Sequence, residues 1–184
     1  MHVQRDWDRE RITQARRILE RWSPGRTAPT LLSDSISHVN EGMPAFVYTI
    51  PDKSSPHRAP GAFSERFPLD RVIASPFLQN KRLFAPSFTD VSPESSVWGV
   101  RNQTVLGASD LADDYPRWRE FRGSLLDHAG FADHMRIFFT TATDDWLGLC
   151  GAFSTGPRYT ERSRRAMAAL DGDLADVLHA LRVL

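Results

Sequence analysis

Hydrophobic positions recur at helical spacing at both ends of the chain and at strand spacing between them. Residues 6 to 22 carry Trp7, Ile12, Ala15, Ile18, Leu19 and Trp22 on one side and Arg5, Arg9, Arg16, Arg17 and Glu20 on the other. That pattern predicts an amphipathic helix, ended by Pro24 and Gly25. A second helix is expected from Pro29 to about Val39, with Leu31, Leu32, Ile36 and Val39 as its apolar side. Proline suits the first helical position, where its missing N–H has no helical partner anyway. Asn40, Glu41 and Gly42 break the pattern. Ala45 to Ile50 then reads as a strand of aromatic and β-branched residues, stopped by Pro51.

Seven prolines between Pro51 and Pro93 predict mainly loops, with one short helix around Leu69 to Leu78. Long irregular stretches inside a domain are often binding loops. Ser96 to Leu106 reads as a strand or an irregular crossover. Tyr115 to Ala129 predicts a helix in which Trp118, Phe121, Leu125 and Leu126 share a face and Gly130 caps the end. A β-hairpin follows: strand Met135 to Thr143, turn Asp144-Asp145, strand Trp146 to Phe153. Gly148 and Gly151 allow something to pack close against the second strand. Thr160, a favoured N-cap residue, opens one long final helix to Leu184, striped by Met167, Leu170, Leu174, Val177, Leu178 and Leu181. The order predicts a single α+β domain over residues 1–184, an antiparallel sheet flanked by helices, with long N- and C-terminal helices.

Composition narrows the function classes. The 23 basic residues balance 23 acidic ones, and the sequence pI is near 7.0. Nucleic-acid binders usually show a basic excess or stripe, so no direct nucleic-acid contact is expected of this chain. Only Lys53 and Lys81 are lysine among those basic residues, a skew typical of GC-rich genomes. The lone Cys150 excludes an internal disulfide and fits a reducing compartment. The N-terminal residues are polar, and no apolar run approaches the roughly 18 residues that span a bilayer. A cytoplasmic protein without membrane contact is expected.

The candidate chemistry is sparse. Cys150, between Leu149 and Gly151, is either a redox or nucleophilic thiol or a small core residue, and core is the favoured reading. His128 and His134, with Asp127 and Asp133 beside them, offer four potential metal ligands, but their spacing matches no zinc pattern. They read as surface polar residues around a helix end, and no metal is expected. Asp144 and Asp145, like Asp110, Asp113 and Asp114, sit where aspartate favours turns rather than acid–base work. Arg162, Arg164 and Arg165 open the last helix, either as a phosphate or partner contact or as a solvated surface. No nucleophile elbow, phosphate loop or dinucleotide fingerprint occurs. The sequence therefore predicts neither catalytic residues nor a cofactor, and no enzyme. Trp7, Ile18 and Trp22 on the first helix and Leu174, Val177 and Leu181 on the last are candidates for a dimer interface, with packing onto the chain's own sheet as the competing account.

The second half resembles the N-terminal GAF-like sensory domains of bacterial LuxR-type transcription regulators. The stretch runs through Pro116 to Phe121, Leu125-Leu126, His128 to Asp133, Asp145 to Phe153 and Tyr159-Thr160-Glu161 into the closing helix. The likeness covers roughly residues 110 to 184 and more loosely 10 to 50. There are two departures. The arginine that often follows the second hairpin strand has no match near Phe153. The helix-turn-helix module that should follow the closing helix is not seen before Leu184. The resemblance implies a GAF/PAS-like fold, an unidentified small-molecule ligand and an output through a homodimer. It also implies a pocket between the sheet and the irregular loops, for which Tyr48, Phe84, Trp98, Arg101, Phe138 and Trp146 are the candidate lining. Plain hydrophobic core is the competing account for each of them. Two other classes stay open, a ligand-independent interaction or dimerisation domain and a small enzyme on the same scaffold.

Overall fold

The computed structural model describes residues 2–21, 30–50, 61–79, 105–107, 119, 122–139, 147–156 and 159–182. The elements run α1 (His2–Glu20), α2 (Thr30–Val39), β1 (Ala45–Ile50), β2 (Gly61–Phe63), α3 (Leu69–Ile73), α4 (Pro76–Gln79), β3 (Leu106–Gly107), α5 (Arg122–Asp127, a π-type turn), β4 (Asp133–Phe139), β5 (Leu147–Ser154), α6 (Glu161–Ala168) and α7 (Asp171–Arg182). The five strands form one sheet in the order β2-β1-β5-β4-β3, and all pairs are antiparallel. The α+β class and the β4–β5 hairpin are as expected.

Alternation along the strands divides the sheet into two faces. One face presents Ala45, Val47, Met135, Ile137, Phe139, Cys150 and Ala152, all buried in a single cluster with residues from α1, α2, α6 and α7. This helical face holds the main core. Helix α1 lays Ala15 and Leu19 into it and is also pinned by its arginines. Arg11 bonds Glu41 at 2.8 Å and Asp8 at 2.9 Å, and Arg162 of α6 donates to both oxygens of Asp8. The bond from Arg162, helped by Arg11, holds the Asp8 carboxyl below the usual carboxylate range. Arg16 reaches Asp173 at 3.0 Å and the Ala169 carbonyl at 2.7 Å.

Two expected elements differ. The single C-terminal helix is two helices, α6 and α7, separated at Ala169 and Leu170. Leu170 is fully buried at the break, so the apolar stripe runs unbroken through it. Asp171 and Asp173 open α7, a charge suited to a helix start and unfavourable in a helix interior next to Gly172. The single helix around Leu69 to Leu78 is likewise two short ones, with Ser75 between them donating its hydroxyl to the Val72 carbonyl at 2.6 Å.

Thr160 caps α6 as expected, its side chain accepting from the Ser163 N–H at 3.3 Å. Thr160→Ala is expected to lower stability by about 1 kcal/mol, read as a shifted midpoint in urea unfolding. Gly130 also caps as expected. Its φ is +80°, and Phe131 N–H returns to the Leu126 carbonyl at 2.8 Å, closing the helix in a Schellman motif.

Candidate functional site

The other face of the sheet, here the outer face, is built differently. Across its width β1, β5 and β4 are set in register as rows. Phe46 lies opposite Gly151, and Gly151 opposite Arg136; Tyr48 lies opposite Leu149, and Leu149 opposite Phe138; His134 lies opposite Phe153. One end of the face is closed by aromatic rings. Phe131 stacks on Phe153 at 4.4 Å, Phe46 lies 5.1 Å from Phe153, and Phe67 touches Phe46, Phe63, Phe131 and Phe153 at 4.5 to 6.5 Å. Phe67 precedes α3 and Phe131 follows α5, and these two rings close that end.

Gly151 is fixed by this packing. A Cβ there would sit 2.3 Å from the Met135 carbonyl oxygen, 3.0 Å from the Phe46 ring and 3.1 Å from the Arg136 Cα. The close approach that the two strand glycines suggested occurs at Gly151, where Phe46 leans over the strand.

Two charged or titratable residues are buried on this face, Arg136 at 4% and His134 at 1% exposure. Burial, reinforced by the Arg136 charge, holds the His134 imidazole well below its ordinary pKa, so it is neutral at physiological pH. Both side chains also make contacts within the fold. Burying an ionised group typically costs several kcal/mol unless partners meet its charge. The outer face of β4 thus pairs an aromatic wall with a desolvated cation. On the other side of the same strand Met135, Ile137 and Phe139 are apolar throughout.

The sequence reading placed Asp133 and His134 on the surface at a helix end, and that is corrected. Both lie on β4 and are buried, because Gly130 ends the helix early enough for the strand to begin at Asp133. Asp133 is occupied structurally, its oxygens accepting from the N–H groups of His134 at 2.8 Å and Tyr159 at 2.9 Å. Among the described residues no group of three potential metal ligands converges. Arg136 was missed. Its signal was its place two residues from His134 in an alternating strand.

Of the expected pocket lining, Tyr48 and Phe138 take register positions on either side of Leu149. Phe84, Trp98, Arg101 and Trp146 lie outside the described residues. Of the expected dimer residues, Trp7 is 63% exposed, Ile18 is half-buried and Val177 is partly buried against the core. Leu174 is corrected: at 1% exposure it belongs to the chain's own core, because α7 turns that side onto the sheet. Leu181 lies on α7, and Trp22 is outside the described residues.

Cys150 is a core residue, fully buried on the helical face. Burial pushes its thiol well above the ordinary value, and the charge of Asp171 adds to this. A thiol this poorly ionised is a weak nucleophile. In the native protein Cys150 is expected to react with Ellman's reagent far more slowly than in the urea-unfolded chain. Equal rates would contradict its burial.

An open groove of about 270 Å³ lies between α1 and α6, lined by Asp8, Ile12, Glu161, Arg162, Arg165 and Ala166. Its charges are paired within the chain: Arg162 with Asp8, and Arg165 with Glu161 at 3.3 Å. The arginine cluster at the start of α6 is thus partly a clamp on α1. No helix among the described residues is long and apolar enough to cross a membrane.

No family model and no curated protein matches the chain. The fold is similar to that in the crystal structure of Escherichia coli SdiA, with a TM-score of 0.52 and 14% identity, over 96% of this chain and 68% of that one.

Proposed function

We propose that this chain is the small-molecule-sensing regulatory domain of a LuxR-type transcription regulator, with a GAF-like sheet as its scaffold. The second half of the chain resembles the sensory domains of such regulators, and the likeness in fold to SdiA extends over almost the whole chain. The observation that carries the reading is the outer face. There a buried Arg136 and a neutral His134 sit against aromatic and aliphatic residues. Ligand sites are mostly apolar, with a few fixed polar groups of perturbed titration. The domain binds its ligand rather than converting it, works in the cytoplasm, and passes the signal through a homodimer rather than through its own contact with DNA.

Native mass spectrometry of the freshly purified protein tests this. A dimer carrying an extra small mass is expected. A bare monomer whose stability no small molecule alters would overturn the reading. A second reading, a ligand-independent docking or dimerisation domain, has one observation in its favour, the 63% exposure of Trp7 on α1. It predicts a bare dimer in the same spectrum.

A further inference from the structure

We infer that α1 is a charge-latched strap: it lifts from the domain as one unit while the sheet stays folded, and Asp8 is the centre of the latch. The inference goes beyond the sensory reading and does not depend on it.

Apolar contact holds α1 only lightly. Of its side chains from Trp7 to Glu20, Ala15 and Leu19 alone are buried, and Ala15 offers a single methyl group. Ile12 and Ile18 are half-buried. By contrast α2, with 10 residues against the 19 of α1, buries five side chains. Stabilisation by burial follows the apolar area removed from water, so α1 draws little from it. The contact with α6 is also not packed shut. The open groove of about 270 Å³ between the two helices has Ile12 and Ala166 on its walls.

Charged groups supply the rest, and they reach three separate places in the fold. The Arg162 Nε of α6 donates to both Asp8 oxygens at 2.8 Å. Arg11 bonds Glu41, beyond the end of α2, at 2.8 Å. Arg16 bonds Asp173 of α7 at 3.0 Å and the Ala169 carbonyl at 2.7 Å. Asp8 is the centre because its one carboxylate serves both Arg162 and Arg11. Without that charge the two guanidiniums that share it would stand close together and repel. Asp8 and Arg162 remain 26% and 39% exposed, so dissolved salt reaches the latch. The closed state carries a cost that opening removes: Arg11 Nε is buried and has no hydrogen-bond partner among the described residues.

The sheet is held in the opposite way. β4 and β5 are paired along their length and bury Met135, Ile137, Phe139, Leu149, Cys150 and Ala152. Segments with few buried apolar contacts open at lower free energy than a core of this kind. Lifting α1 bares apolar surface of α2 and α7, the elements on which it packs. The domain thus has two states that differ in exposed apolar surface while sharing one folded sheet. A signal that binds one of them better than the other shifts the balance between them.

Hydrogen–deuterium exchange of the intact protein at pH 7, read by mass spectrometry, tests the strap. After correction for intrinsic rates, α1 is expected to exchange at least about tenfold faster than β4 and β5. Asp8→Asn is expected to speed α1 by at least about tenfold more, leaving β4 and β5 within about twofold of wild type. Raising sodium chloride from 0.05 to 0.5 M is expected to speed α1 in the wild type and to have little effect on α1 in Asp8→Asn. Should Asp8→Asn fail to fold, the wild-type salt series decides alone. Exchange of α1 at the rate of β4 and β5 would show that it opens only with the whole domain, and overturns the inference. Fast exchange of α1 that neither the substitution nor salt alters overturns the latch. Equal acceleration of α1 and the sheet in Asp8→Asn also overturns it, since Asp8 would then support the domain as a whole.

Discussion

Gly151→Ala is expected to destabilise the protein by about 3 kcal/mol, and Gly151→Val to prevent folding. The size of the first effect is notable because the usual sign is the reverse. Glycine within a strand normally weakens it by about 0.5–1 kcal/mol relative to alanine, through the backbone freedom lost on folding. Here the added Cβ would lie 2.3 Å from the Met135 carbonyl oxygen, a backbone atom held by the β4–β5 ladder. The Phe46 ring, 3.0 Å away, is held by Phe153 and Phe67. Neither neighbour can swing aside as a flexible side chain would. The central strands must separate, which places the cost at the upper end of the usual 1–3 kcal/mol of an overpacked core site. Gly172→Ala provides the contrast. Nothing lies within 4 Å of a Cβ at that helical position, so a gain of about 0.5 kcal/mol is expected. Urea unfolding of the two variants checks both signs. A stable Gly151→Ala protein would mean that β4 and β5 are not in this register.

Much of this framework is legible in the sequence, and the reasons are local. Strand β1 is bounded as expected because its run of aromatic and β-branched residues starts after Pro44 and ends at Pro51. Gly130 is recognisable because only a residue tolerant of positive φ closes a Schellman motif without strain. The break between α6 and α7 is hidden for a physical reason. Periodicity records which residues face the core, and Leu170 faces it at the break as Met167 and Leu174 do on either side. The better signal was electrostatic, Asp171 and Asp173 standing where a helix begins rather than continues. Leu174 shows the same limit. An apolar stripe does not say whether its partner is the chain's own sheet or a second copy. The outer-face site was half visible. Tyr48 and Phe138 stand out as aromatic strand residues, but Arg136 does not and His134 reads as a surface residue, since their burial depends on which strand lies opposite. That is long-range information, fixed by the pairing of β4 with β5.

The protein is expected to lose stability as pH falls from 6.5 toward 5 because of His134. The folded protein holds this imidazole neutral, with its pKa well below the ordinary value, chiefly through burial and secondarily through the Arg136 charge. In the unfolded chain the ring titrates near 6.5. Above about pH 6.5 both states are neutral at this site, and no penalty exists. As pH falls below that value the unfolded chain takes up a proton that the native protein refuses, so unfolding becomes more favourable. The slope approaches 1.36 kcal/mol per pH unit for one proton, and it continues until the pH reaches the depressed native pKa. The window lies above the ordinary carboxylate range. It is therefore separate from the loss of the Asp8 clamp, whose contribution is present above about pH 4 and fades as pH falls further through its depressed native value. Denaturant midpoints at pH 7, 6.5, 6, 5.5 and 5 measure the slope, and His134→Gln is expected to flatten it over that range. A wild-type slope that survives the substitution would assign the proton uptake elsewhere.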